Sequence, residues 1–174
     1  IWGLFKKIVI ADNLGIYVSE IFDNHESLPG SVLFLGLSYF AFQIYCDFSG
    51  YSDIAIGTAR LFGFKLMRNF AYPYFARDMA EHWRRWHISL STWFKDYLYI
   101  PLGGSRGGTW GKIRNTVIIF TVSGFWHGAD WTYVIWGFVN GLYFLPLLLY
   151  GINRNHMGVT SEGRIFPTLK DFML

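Results

Sequence analysis

The sequence holds a single cysteine, Cys46, among 174 residues. One thiol excludes a disulfide framework and any structural zinc site built from several cysteines. Cys46 lies in an apolar run, where an inert buried thiol is expected. Charge is scarce too: 16% of the residues are Asp, Glu, Lys or Arg, against about a quarter in ordinary soluble domains. No Gly-x-Ser-x-Gly elbow and no reactive-cysteine setting occur, so the familiar nucleophilic hydrolases drop out. A His-Glu-x-x-His pair is missing, and His82 and His87 stand five apart on opposite sides of a helix, so no metal site is expected. The glycine-rich loop Pro101–Gly108 has no Gly-Lys-Ser/Thr ending and no preceding strand, which argues against a phosphate loop. No period of 20–50 residues repeats, and no low-complexity tract is present. The chain opens at Ile1 with neither a methionine nor a signal-peptide pattern, and it is expected to be a fragment of a longer polytopic protein.

What the sequence does have is apolar and aromatic surface. It is 52% hydrophobic and 21% aromatic, with 17 Phe, 11 Tyr and 8 Trp, and its mean hydropathy is positive. Such a composition suits large lipid-facing and interfacial surfaces. The net charge of +3 is modest. Its basic clusters, Arg84-Arg85 and Arg106 to Arg114, keep company with tryptophan and long apolar runs. They read as membrane-surface and topology signals, so the expected partner is a lipid bilayer and no nucleic acid is expected.

Taken in order, Ile1 to Ile21 reads as an interfacial helix or the end of a span, with Lys6 and Lys7 at the headgroups. Asp23–Gly30 is a polar connector. From Ser27 to Cys46 there is no charge, and counted through Phe48 the run satisfies the roughly 20 residues that a membrane crossing requires. Asp47-Phe48-Ser49-Gly50-Tyr51-Ser52-Asp53 follows at its end, before an apolar helix resumes over Ile54–Phe64. Asp53 and Arg60 fall on one helical face, so they pair with each other or find partners elsewhere. The cluster reads equally as a structural polar junction and as a substrate-lining patch. Lys65–Pro73 is a connector. Phe75–Tyr99 is a helical stretch too polar to span, expected to lie along the interface or to re-enter the protein interior. In it Trp83, His87 and Ser91 share a face at four-residue spacing, and Glu81 pairs with Arg85. Trp131–Tyr150 supplies a second span with a kink at Pro146, and Arg154 and His156 return the chain to a polar face. The fold expected is all-α, one polytopic membrane unit over residues 1–174.

The most informative stretch is Phe125-Trp126-His127-Gly128-Ala129-Asp130-Trp131. It places one imidazole between uncharged segments running from Asn115 to Ala129 and from Trp131 to Asn153. An ionisable group in such a setting is costly in a membrane and points to function. The short basic loop before it belongs on the cytoplasmic side. From Asn115 to Trp126 a straight helix covers about 18 Å of a core about 30 Å thick, which sets His127 past the membrane middle. A buried, neutral imidazole can deprotonate a hydroxyl for attack on an activated acyl group, in surroundings that exclude water. A transporter or scaffold subunit with polar residues along a permeation path is the alternative, and a module that only recruits a periplasmic transferase is a third.

Four motifs carry a family resemblance. They are Tyr45–Asp53, Trp83–Trp93 (Trp-Arg-Arg-Trp-His-Ile-Ser-Leu-Ser-Thr-Trp), Asp96–Gly104 and Trp126–Ala129. Together they resemble the membrane-bound O-acyltransferases over most of Phe42 to Tyr143, and most closely the bacterial alginate-acetylating branch. The resemblance implies a multi-helix membrane fold with a central tunnel, in a multi-pass protein of the bacterial inner membrane. It implies that His127 is the catalytic residue and that His87 is a second motif histidine near the tunnel. Asp47, Asp53, Arg84, Arg85 and Trp126 are candidates for lining or stabilising it. No bound cofactor is expected. The implied donor is a cytoplasmic thioester, acetyl-CoA, and the acceptor is an extracytoplasmic polysaccharide hydroxyl, reached with the help of periplasmic partner proteins. The family has about twice as many helices as can be counted here, so the chain is not expected to catalyse alone.

Overall fold

In the computed structural model, which describes residues 1–154, every regular element is helical. The chain falls into two compact units, Ile1–Arg68 and Asn69 onward. His156 lies outside the described residues.

The first unit is a pair of helical rods. Helix α1, Trp2–Leu4, passes without a break through a π-helical stretch, Phe5–Ala11, into α2, Asp12–Asp23. After the polar turn comes α3, Gly30–Leu61, a single helix of 32 residues. The sequence predicts a span that ends near Cys46 and a separate helix after it. The structure runs straight through the acidic cluster instead, because its carboxylates are neutralised sideways by the neighbouring rod. Lys6 Nζ reaches Asp53 Oδ2 at 2.8 Å and donates to Ser49 Oγ at 3.0 Å. Lys7 Nζ bridges Asp47 Oδ1 at 2.7 Å and Asp12 Oδ1 at 2.6 Å. Lys6 is buried, and both lysines turn onto carboxylates of the neighbouring rod. Gly3 and Gly50 make the approach possible, since a Cβ on Gly50 would stand 2.8 Å from the Gly3 carbonyl oxygen. Asp53 thus finds its partner 47 positions back in the chain rather than at Arg60. Cys46 is buried and free, as its apolar run predicts.

The second unit begins with a connector free of regular structure, residues 69–72, which ends on Tyr72 in the left-handed region, and a 3-10 turn, Pro73–Phe75. Two short helices follow, α4 Met79–Arg85 and α5 Ile88–Phe94, and α5 continues into a π-helical turn, Lys95–Tyr99. The predicted single polar helix is therefore broken at Trp86–His87. A glycine-rich turn leads to α6, Gly108–His127, then to α7, Trp131–Tyr143, and α8, Leu145–Leu149. The interruption at Phe144 falls where Pro146 withholds an N–H from the helix ladder.

Helices α6 and α7 pack backbone to backbone. A Cβ on Gly137 would collide with the Phe120 carbonyl oxygen and stand 2.9 Å from Gly124 Cα. Small residues at such a crossing let two apolar helices approach closely, as in membrane helix pairs. Asp130 caps α7 by accepting from Thr132 N at 2.8 Å. Asn115, buried on α6, donates to the Gly104 carbonyl at 2.9 Å and accepts from Arg114 Nη2 at 2.9 Å, which ties down the glycine-rich turn.

Among the described residues, two segments are long and apolar enough to cross a bilayer, Gly30–Leu61 and Trp131–Leu149. The core helix of a soluble protein would hide its apolar side chains. Here only 11% and 22% of the two apolar windows are buried, and Phe34, Leu37, Phe42, Ile135 and Phe138 face outward. That arrangement is one that lipid, rather than water, satisfies.

Candidate active site

The site grows from α4. Asp78 accepts from Glu81 N at 2.7 Å, and Glu81 Oε2 reaches back to Arg77 N at 2.7 Å. Asp78 is thus the N-cap of α4, while the Glu81 side chain accepts from the N–H one residue before the cap. The Glu81 carboxylate is also gripped by Arg77 Nη2 at 3.0 Å and by Arg85 Nη2. Burial opposes its charge, but the guanidinium groups of Arg77 and Arg85 outweigh that and hold the carboxyl at about 2 instead of 4.5. The predicted Glu81–Arg85 pair is present. Arg85 is 4% exposed and also donates to the Ala71 carbonyl, so it works inside the scaffold.

Where α4 stops, the backbone turns through His87 in the left-handed region (φ 43°, ψ 57°) and α5 begins. The turn sets the His87 imidazole into a cavity of about 260 Å³ between the α4–α5 pair and α6. Trp83 and Ser91 line the same cavity, so the face they share in the sequence survives the break in the helix. From α6, Ser123 and His127 line it one turn apart. Arg84 and Lys95 add positive charge. Arg84 Nη1 donates to the Asn153 carbonyl at 3.1 Å, and Lys95 contacts Asp96 at 3.2 Å.

His127 is the last residue of α6, with Gly128 as its cap. Its ring meets Trp136 of α7 edge-on at 5.4 Å and Trp126 at 5.0 Å. Trp126 in turn faces His87 with ring centroids 6.4 Å apart. One tryptophan thus touches both imidazoles. Ser89 Oγ stands 3.4 Å from His87 Nδ1. Burial pushes the His87 imidazole below its ordinary 6.5, and the nearby His127 pushes the same way. Both effects favour the neutral form of His87.

One expectation fails. His127 lines the cavity but is exposed, whereas a buried imidazole is predicted. The reason is positional: α6 ends there, and Phe125 and Trp126 beside it are exposed as well. His82, in contrast, sits away from the cavity lining. It stacks on Trp86 at 5.9 Å and its Nδ1 lies 3.2 Å from the Pro73 carbonyl oxygen.

Of the candidates read from the sequence, His87, His127 and Arg84 line the cavity, and Trp126 touches both histidines. Arg85 is engaged by Glu81. Asp47 and Asp53 belong to the first unit, bound to lysines. Sequence reasoning missed Ser123 and Lys95. Ser123 was legible, four residues before His127 and so on the same helical face. Lys95 was legible too, since it continues the four-residue spacing of Trp83, His87 and Ser91.

Helical described residues with outward-facing apolar spans and a cavity lined by two histidines are the build of a helical membrane protein. More narrowly, the chain belongs to the membrane-bound O-acyltransferase family, whose sequence profile matches residues 1–168. It is 46% identical over 168 residues to the probable alginate O-acetylase AlgI of Pseudomonas aeruginosa, covering 97% of this chain and 31% of that protein. It is 45% identical over 153 residues to the probable alginate O-acetylase AlgI of Pseudomonas putida, covering 88% of this chain and 31% of that one. With the peptidoglycan O-acetyltransferase of Helicobacter pylori it shares 48% identity over 140 residues, 80% of this chain and 27% of the relative. The chain thus spans less than a third of the length of these relatives.

Proposed function

We propose that this chain carries the histidine-bearing part of a membrane O-acyltransferase. In this reading the intact protein moves an acetyl group from a cytoplasmic thioester, acetyl-CoA, towards a hydroxyl of an extracytoplasmic polysaccharide. Alginate is the first acceptor to test, because two of the relatives are named for it. The protein works in the bacterial inner membrane as a multi-pass subunit, and periplasmic partner proteins complete the delivery.

The observation that carries the reading is that His87 and His127, forty positions apart, line one cavity. His127 acts as the base. Its imidazole takes the proton of the acceptor hydroxyl as the oxygen attacks the thioester carbonyl carbon. The carbon–sulfur bond then breaks, and the departing thiolate recovers that proton, leaving an ester and a free thiol. His87, neutral and with Nδ1 turned to Ser89, orients the donor. Arg84 and Lys95 favour an anionic donor at the cavity mouth. Trp126 keeps the two imidazoles in fixed relation.

The test is His127→Ala in the intact protein. Acetylation of the polymer should fall by at least about a hundredfold, the usual worth of a general base. Thioester consumption in isolated membranes should fall with it. Unchanged acetylation would remove His127 from the role. Solute flux without thioester turnover would support a transport subunit instead.

A further inference from the structure

We infer that Asn69 is the positioning residue for His87, acting through the start of α5; the inference rests on the role given to His87 above. Only two non-glycine residues among those described adopt positive φ, Tyr72 and His87. A histidine in the left-handed region persists only where its surroundings over-determine it, and such residues gather at functional sites. Helix α5 also begins with N–H groups that need acceptors, and His87, at the capping position, makes no side-chain cap bond.

Asn69 supplies both missing acceptors from twenty positions away. Its main-chain carbonyl accepts from Ile88 N at 3.0 Å, and its side-chain Oδ1 accepts from Ser89 N at 3.0 Å. The same connector holds the other side of the break, where Ala71 N donates to the Arg85 carbonyl at 3.0 Å. Arg85 is fixed in turn by Glu81. The break at His87 is thus held on both sides by one connector, through the Arg85 carbonyl and through Ile88 N. Once Ser89 N is held by Asn69, the Ser89 hydroxyl stays 3.4 Å from His87 Nδ1 and sets the ring's rotation. Without the Oδ1 acceptor, α5 can rejoin α4 and swing the imidazole out of the cavity.

The experiment compares Asn69→Ala, Asn69→Asp and His87→Ala in membranes carrying the intact protein, with thioester turnover as the readout. Asn69→Asp keeps an acceptor oxygen for Ser89 N. Asn69→Ala should lower kcat by about tenfold while KM for acetyl-CoA stays within about twofold, the signature of misplaced chemistry rather than lost binding. Asn69→Asp should recover most of kcat. Wild-type kcat in Asn69→Ala, or loss in Asp equal to that in Ala, would overturn the inference. If Asn69→Ala does not accumulate, Asn69→Gln decides: it keeps the amide but moves the acceptor oxygen one methylene away from Ser89 N, so kcat should fall with KM held, and a wild-type kcat would overturn the inference. His87→Ala separates the two levels: full activity there would remove the reading of the site itself, whereas its loss beside an unaffected Asn69→Ala would overturn only the role of Asn69.

Discussion

At the scale of single residues, the charged groups in this chain divide by what they touch. Glu81 is 1% exposed and sits between Arg77 and Arg85. Removing its charge leaves two guanidinium groups without their counter-ion in a buried place. Glu81→Gln should therefore cost about 3 kcal/mol of stability, the usual penalty for breaking a buried pair from one side. Thermal unfolding in detergent measures it. The same carboxyl predicts an acid limit. Its folded pKa of about 2 lies below the ordinary 4.5. The stabilisation is then full above about pH 4.5 and is lost as pH falls towards 2, and Glu81→Gln should flatten that part of the stability profile. The Glu81–Arg85 pair was legible from four-residue spacing alone. The Lys6–Asp53 pair was not, because no local pattern links positions 47 apart.

At the scale of elements, the crossing of α6 and α7 decides where His127 points. Gly124 and Gly137 meet backbone to backbone, and Trp136, next to Gly137, packs against the His127 ring. Any Cβ at this crossing forces the helices apart. Gly137→Ala should lower stability by about 1–3 kcal/mol, as overpacking does, and should reduce acyl transfer by loosening the Trp136–His127 contact. Gly111 is the control. A Cβ there meets nothing within 4 Å, so Gly111→Ala should be neutral or should stabilise α6 by about 0.5–1 kcal/mol. Comparing unfolding midpoints and turnover of the two variants checks both. The helical nature of α6 and α7 followed from their uncharged, aromatic-rich runs. The break between α4 and α5 did not. Trp86-His87-Ile88-Ser89 contains neither glycine nor proline, and its cap comes from Asn69.

At the scale of the whole molecule, the described residues build one wall of a site. His127 lines the cavity and is exposed, and the chain matches less than a third of its relatives' length. An open imidazole admits water, which competes with the acceptor for an activated acyl group. The 174-residue chain produced alone should therefore insert into membranes and yet transfer no acetyl group to polymer. Membrane fractionation and acetylation of added polysaccharide test the two halves of that statement.

The sequence by itself determined the all-helical class, the membrane character and the short roster of groups able to do chemistry. Those properties live in composition and in periods of three to four residues, which a helix reads locally. Only the tertiary structure decided that His87 and His127 share a cavity, that the acidic run of α3 is answered by Lys6 and Lys7, and that His87 is held in a left-handed turn. Each depends on hydrogen bonds, ion pairs or ring contacts between residues about twenty to fifty positions apart, whose geometry exists only once the helices have packed.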